Sequence, residues 1–199
     1  MINPNTDWSI YEIYCKVTDI RYIGAAYDYM DRWIKHIREL NEGVHHNPEL
    51  QEDWKKYGRD EFEFRKLKTL KHKSRTKLYW YELRFIYEDL AGYKLYNVPR
   101  QVEFQCYTIC RQLIDHKIKF EYKEYLDGRL LDFMIYPDDP WTDDFFVVDV
   151  HDVFNPNEES RNQDIETVKG RKTFCEKRGI PFILVNPNKY FLLSDIIKD

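Results

Sequence analysis

The stretch that most constrains the fold is Ser9–Gly24, SIYEIYCKVTDIRYIG. Ile- and Tyr-rich runs bounded by polar residues read as a β-hairpin, with one strand over Ser9 to Cys15 and a second over Arg21 to Gly24. Pairing these strands can bring the hydroxyls of Tyr11 and Tyr22 to one end of a small sheet. Strands favour aromatic residues in general, so the ordinary role of such tyrosines is packing. The residues later in the chain decide whether they do more.

The chain has 199 residues, enough for one large domain or two small ones. With 43% hydrophobic and 33% charged residues it should be globular, and its 16 Tyr, 12 Phe and 5 Trp supply both core material and flat surfaces for stacking on bases. Cys106 and Cys110 have helical spacing and no CxxC pair occurs, which argues against zinc and against a disulfide framework. No apolar run is long enough to span a membrane and MINPNTDW is not a signal peptide, so a soluble, cytoplasmic protein is expected. The net charge of −4 argues mildly against a nucleic-acid partner, but it divides into +2 over residues 1–100 and −6 over the remainder. A basic first half and an acidic second half suggest two units with different roles. Carboxylate clusters that hold divalent metals also make nucleases more acidic than simple DNA binders.

After the hairpin, Asp28 to Glu42 has helical periodicity, with Met30, Trp33, Ile37 and Leu40 as the expected apolar stripe, Asp28 as N-cap and Gly43 as the stop. Arg32 and His36 are one turn apart on one side of this helix. Asn47, Pro48 and Gly58 punctuate a second helix. Glu61 to Leu67 alternates as a third strand would, and Lys68 to Lys77 reads as a basic loop able to touch phosphates. A third helix is expected over Thr76 to Leu90, carrying Trp80, Leu83, Ile86 and Tyr87 inward and Glu82 at the edge of that face.

The order SIY, RYIG, RWIKH, GVHHN, LQEDWKKYG, EFEF, a late helix with Glu82 and then YN resembles the GIY-YIG nuclease domain over about residues 8–98. The resemblance implies a small sheet flanked by helices that cuts DNA with one divalent metal. On that basis Tyr11 and Tyr22 match the two motif tyrosines, Arg32 the helix arginine and His36 the histidine one turn later. His45 matches the loop histidine, Glu82 the metal-binding glutamate and Asn97 the terminal asparagine. Ser9 departs from the pattern, standing where the first glycine is usual. Phosphodiester hydrolysis needs these residue types. Glu82 would anchor Mg²⁺ (or Mn²⁺), which prefers oxygen ligands, and Arg32 would neutralise charge on the phosphate. Tyr11, deprotonated or relayed through His36, would take the proton of the attacking water, which Tyr22 would position. A phenol with a pKa of about 10 needs nearby cations to act as a base at neutral pH.

Beyond a boundary expected at Pro99 to Phe104, a helix is predicted over Gln105 to Lys117, with Ile109, Leu113 and Ile114 inward. Strands come next at Phe120 to Leu126, Arg129 to Tyr136 and Phe145 to Val150, with PDDPWTDD as a loop. A long polar helix over Glu158 to Arg178, a buried strand at PFILVN and a short helix over Leu193 to Lys198 complete an α/β unit. Strand periodicity puts Asp149 and His151 on one face, and an adjacent strand can bring Asp132 beside them as an oxygen-rich metal site. This half is similar to the PD-(D/E)XK nuclease core, in the branch of the very short patch repair and EDxHD homing endonucleases, where histidine stands in for lysine. Glu103 is a candidate leading acid, and Lys169 and Arg171 are candidates for the missing positive charge.

The expected architecture is thus α+β: a GIY-YIG domain at 1–98 followed by an α/β PD-(D/E)XK-like domain at 99–199. The expected function is a Mg²⁺-dependent endonuclease of the phage or mobile-element homing type. It would act on double-stranded DNA in a bacterial or phage-infected cell, without a small-molecule cofactor. The competing readings are a non-catalytic DNA-binding or regulatory protein on degenerate nuclease folds, and a restriction or repair endonuclease.

Overall fold

A computed structural model describes residues 6–97, 101–136, 144–151, 157–189 and 191–193. The chain divides into two units, Met1–Val98 and Pro99–Asp199. Together they contain two sheets, of three and four strands, and five α-helices among the described residues.

In the first unit β1 (Ser9–Cys15) is the central strand, flanked by β2 (Ile20–Ala26) and β3 (Phe62–Thr69), both antiparallel to it. Tyr11 faces Gly24 and Ile13 faces Tyr22 across the β1–β2 ladder, so both tyrosines lie on one face. Against β3 the register shifts between Ile10 and Tyr11, a bulge that adds local twist beside the tyrosine. Strand β3 runs two residues beyond Leu67, so Lys68 and Thr69 belong to the sheet rather than to the basic loop.

Two helices cover the Tyr11 face. Helix α1 (Tyr29–Glu42) is capped by the Asp28 side chain, which accepts from the Met30 and Asp31 N–H groups, and it ends at Gly43 with φ 77°. Helix α2 (Pro48–Tyr57) starts at the Asn47 cap and ends at Gly58. With Tyr11, Ile13, Cys15, Leu40, Trp54 and Phe62 these elements form one core. The stripe of α1 differs from the expected one, because Met30 is 48% exposed. The inward positions are Tyr29, Trp33, His36, Ile37 and Leu40, so the stripe runs one residue to the side and takes in a histidine.

Helix α3 (Arg75–Arg84) packs on the opposite face, on Trp8, Ile10, Ile23 and Leu70. Leu78, Tyr81, Phe85 and Ile86 face that core and Leu83 is also buried, whereas Trp80 and Tyr87 are not part of that core. The helix widens into a π-turn over Phe85–Asp89, one turn after Glu82. Such turns commonly accompany functional sites.

In the second unit the sheet order is β4 (Lys119–Leu126), β5 (Arg129–Tyr136), β6 (Phe146–Val150) and β7 (Phe182–Val185). The β6–β7 pair is parallel and is connected through α5 (Glu158–Glu176), as a parallel pair requires. Helix α4 (Gln101–Asp115) begins four residues before the expected start and so includes Glu103. Its buried stripe is Gln105, Cys106, Ile109, Cys110 and Leu113, and Ile114 is exposed instead. Strand β7 is half-exposed, with Leu184 outward, because it lies at the sheet edge. An apolar run alone does not separate that position from a central one. Most of the PDDPWTDD segment and of the expected C-terminal helix lie outside the described residues.

Candidate functional site

Gly24 opens the site. A Cβ at this position would stand 2.4 Å from the Tyr11 Oη and 2.5 Å from its Cζ, so the absent side chain is what lets the phenol ring cross β2. Tyr11 is fully buried there. Its Oη lies 2.6 Å from the His36 Nε2 and accepts from the Arg32 Nε–H at 3.2 Å. Both partners come from α1, where positions 32 and 36 lie on adjacent turns facing the sheet.

Behind His36 the network continues. The His36 Nδ1 is 2.7 Å from the His45 Nε2, and the Asn47 backbone N–H donates to the His45 Nδ1 at 3.1 Å. That donor gives the chain a direction. With Nδ1 of His45 accepting, its proton sits on Nε2 and is donated to His36, whose own proton then sits on Nε2 and is donated to the Tyr11 oxygen. The reverse order would need His45 to donate to the Asn47 carbonyl, a longer contact of 3.4 Å. His36 is therefore a donor to the phenol and not the acceptor of its proton. The Tyr11 oxygen receives two N–H groups, which aims its own O–H away from both.

The charges agree with neutral imidazoles. Burial first, then the Arg32 and His45 charges, pulls the His36 pKa down to about 2. Burial and His46 lower His45 to about 4. Burial first, then Tyr22, holds the Tyr11 phenol above its ordinary value, with Arg32 pulling the other way and Glu82 adding to the rise.

Neutral buried histidines make the first unit sensitive to acid. In the unfolded chain each titrates near 6.5, whereas in the fold they resist protonation until about 4 and about 2. Below pH 6.5 the unfolded state binds more protons, so stability is full above that pH and falls below it. The loss is about 1.4 kcal/mol per pH unit for each histidine, down to the folded values. Urea unfolding of the full chain at pH 7, 6 and 5 measures this, because four of the five tryptophans lie in residues 1–98. His36→Asn should flatten the acid slope by about one proton, and equal slopes in the two proteins would contradict this account of His36.

The remaining expected residues are placed around this centre. Tyr22 packs its ring against His36 at 5.4 Å and its Oη lies 3.2 Å from the Nε2 of His46, a residue that the sequence pattern does not single out. Glu82 belongs to the helix on the opposite face from Arg32, yet its carboxylate reaches the β2 edge and accepts from the Ala25 N–H at 3.0 Å. Asn97 sits on the same edge. Its Oδ1 accepts from the Ile23 N–H at 2.6 Å and its Nδ2 donates to the Ile23 carbonyl at 2.8 Å. With the Lys94 carbonyl on the Arg21 N–H, the outward N–H groups of 21, 23 and 25 are all satisfied. Asn97 thus clamps backbone, while the Glu82 carboxylate caps the same edge and its charge is felt at Tyr11. A carboxylate suits Mg²⁺, which prefers oxygen ligands and keeps several of its waters. A second set of ligand-type atoms, from His36, Glu39 and His45, also falls within 4.8 Å of one another. Its two nitrogens already share a hydrogen bond, and imidazole suits transition metals rather than Mg²⁺.

In the second unit Asp132 and Asp149 are fully buried where the β5–β6 ladder ends. Each carboxylate replaces a ladder bond: Asp149 Oδ1 accepts from the Asp132 N–H at 3.2 Å, and Asp132 Oδ2 from the Val150 N–H at 3.0 Å. The Lys123 ammonium donates to Asp132 Oδ1. Lys123 has φ 55°, a left-handed conformation that costs about 1–2 kcal/mol for a residue of this kind. The His151 Nδ1 lies 3.1 Å from Asp164, and Arg171 donates to Asp149 at 2.9 Å. Glu103 lines the same cleft, of about 580 Å³. Lys169 does not take part, being exposed and paired with Glu166. Burial first, then Asp132, raises the Asp149 pKa, while Asp132, although buried, is held below its ordinary value by Lys123 and Arg171. The oxygen-rich set suits a hard dication, but the Arg171 guanidinium already stands between Asp149 and Asp132, at 2.9 and 3.4 Å, and Lys123 adds a second positive charge on Asp132. A divalent ion therefore does not fit this arrangement.

No family model matches the chain, and no curated protein does. Among solved structures it is similar to the catalytic domain of the homing endonuclease I-TevI. The identity is 26%, 47% of this chain and 99% of that one are covered, and the TM-score is 0.42. A single-residue variant of the catalytic domain of the intron endonuclease I-TevI matches at 26% identity over 45% of this chain and 93% of its own, with a TM-score of 0.39. No helix among the described residues is long and apolar enough to cross a membrane.

Proposed function

We propose that residues 1–98 form a GIY-YIG-type unit that hydrolyses phosphodiester bonds of double-stranded DNA. Residues 99–199 form a PD-(D/E)XK-like unit that contacts the DNA without being the main cutter. The observation that carries this reading is the Tyr11 phenol, buried across Gly24 with its oxygen held by Arg32 and His36. Core packing alone does not call for a guanidinium and an imidazole N–H on one buried phenol oxygen.

Within this reading Arg32 neutralises charge building on the phosphate oxygens. Tyr11 takes the proton of the attacking water as phenolate, a form that the Nε–H of Arg32 and the Nε2–H of His36 both stabilise. Tyr22 orients that water or a phosphate oxygen. Glu82 would hold Mg²⁺ or Mn²⁺, which when bound supplies charge stabilisation at the leaving 3′ oxygen. Lys68, Lys71 and Lys77 line one cleft of the same unit and offer positive charge to the backbone of DNA.

Plasmid cleavage with and without Mg²⁺, followed across pH, tests the reading. Because Tyr11 is held above its ordinary pKa, the active phenolate is scarce at neutral pH. The single-turnover rate should rise about tenfold per pH unit from pH 7 upward, without levelling near 6.5. A plateau centred between pH 6 and 7 would assign the base to a histidine and contradict the role given to Tyr11.

A further inference from the structure

The second unit places a guanidinium where its three ligand-type side chains converge. Oxygen atoms of Asp132 and Asp149 and a ring nitrogen of His151 lie within 4.8 Å of one another, the arrangement of a metal-ligand set. The Arg171 Nη1 stands among them, 2.9 Å from Asp149 Oδ2, 2.9 Å from His151 Nε2 and 3.4 Å from Asp132 Oδ1. Its N–H groups point at the same lone pairs a divalent ion would take.

The geometry points to Arg171 as a built-in cation: its guanidinium occupies the metal position of the second unit, which binds a divalent ion only when that side chain is withdrawn. Two further observations support this. Lys123 donates to Asp132 from a left-handed backbone, so two side-chain cations face two buried carboxylates and their charges balance. Bringing in a dication without losing Arg171 would leave excess positive charge in a buried site, which is costly. His151 adds to the closure, because its Nε2 accepts from Arg171 while its Nδ1–H is directed at Asp164. The helix that carries Arg171 anchors it from one turn on either side through buried Val168 and Cys175. Arg171 is itself only 9% exposed, so it is a packed residue rather than a solvated one that happens to lie near acids.

The inference is independent of the role given to Glu82, and the experiment keeps the two apart. Mn²⁺ binding is followed by electron paramagnetic resonance on the full chain carrying Glu82→Gln, then with Arg171→Met added, then with Asp149→Asn added to both. The Glu82→Gln protein should show no Mn²⁺ that Asp149→Asn removes. Adding Arg171→Met should create one Mn²⁺ per chain that Asp149→Asn abolishes, and Mn²⁺ should raise the melting temperature of that variant alone. Two results would overturn the inference: Mn²⁺ that depends on Asp149 while Arg171 is present, or a folded Arg171→Met protein that gains none. The first is read without the methionine variant, so the inference can fail even if that variant does not fold. Mn²⁺ retained in every variant, and insensitive to Asp149, belongs to the first unit and contradicts only the role of Glu82.

Discussion

Glu82→Gln is expected to abolish DNA cleavage while leaving DNA binding intact. The amide keeps the size of the side chain, and its carbonyl oxygen can still accept from the Ala25 N–H, so the β2 edge stays capped. What is lost is the negative charge that would hold the metal, and with it the stabilisation of the leaving oxygen. The drop in single-turnover rate should be at least about 10³-fold, comparable to or larger than the loss of one oxyanion donor. Binding measured by gel shift at the same salt should change little, because phosphate contacts would come from lysines and arginines and not from this carboxylate. Cleavage at the wild-type rate would remove Glu82 from the reaction.

Gly24→Ala should be nearly as damaging, for a different reason. The backbone at this position demands no glycine, and the constraint is the phenol lying across it. A methyl group 2.4 Å from the Tyr11 Oη must push the ring aside, and the ring is backed by His36 and Arg32. Displacing it breaks the alignment of the oxygen with both donors. Overpacking of this kind costs about 1–3 kcal/mol of stability. A misplacement of about 1 Å at reacting groups costs about 10² in rate. The variant should therefore fold, melt lower and cut poorly. An unchanged rate would mean that the Tyr11 position does not matter to the reaction.

Much of this geometry is legible in the sequence because it is local. Asp28, Gly43, Asn47, Pro48 and Gly58 mark the ends of α1 and α2, and each does its capping within a few residues. The strand period together with the hairpin pairing, Ile13 opposite Tyr22, places Tyr11 and Tyr22 on one face. The misses come from longer range. Met30 and His36 exchange places as outward and inward residues because the α1 stripe is set by what the sheet presents, not by hydrophobicity. A histidine in an inward position was the available signal for the network running through His45 to Asn47. Nothing in KFEYKEYL marks Lys123 as the residue that bends left-handed to reach Asp132. Arg171 did leave a trace, falling in register with Val168 and Cys175 on the buried side of α5, a position where an arginine needs a partner. The sequence already offers Arg171 as the positive charge beside Asp132 and Asp149, and how closely it meets both is set by how β5 and β6 end.

The most direct test of which unit cuts compares Arg32→Ala with Asp149→Asn on one DNA substrate at one salt concentration. Arg32 donates to the Tyr11 oxygen and is the residue proposed to neutralise the phosphate, whereas Asp149 already has its charge answered by Arg171. Arg32→Ala should remove most of the cleavage, by about 10²–10³-fold, and Asp149→Asn should remove little. If Asp149→Asn abolishes cleavage and Arg32→Ala spares it, the second unit is the cutter and the first is the recognition module.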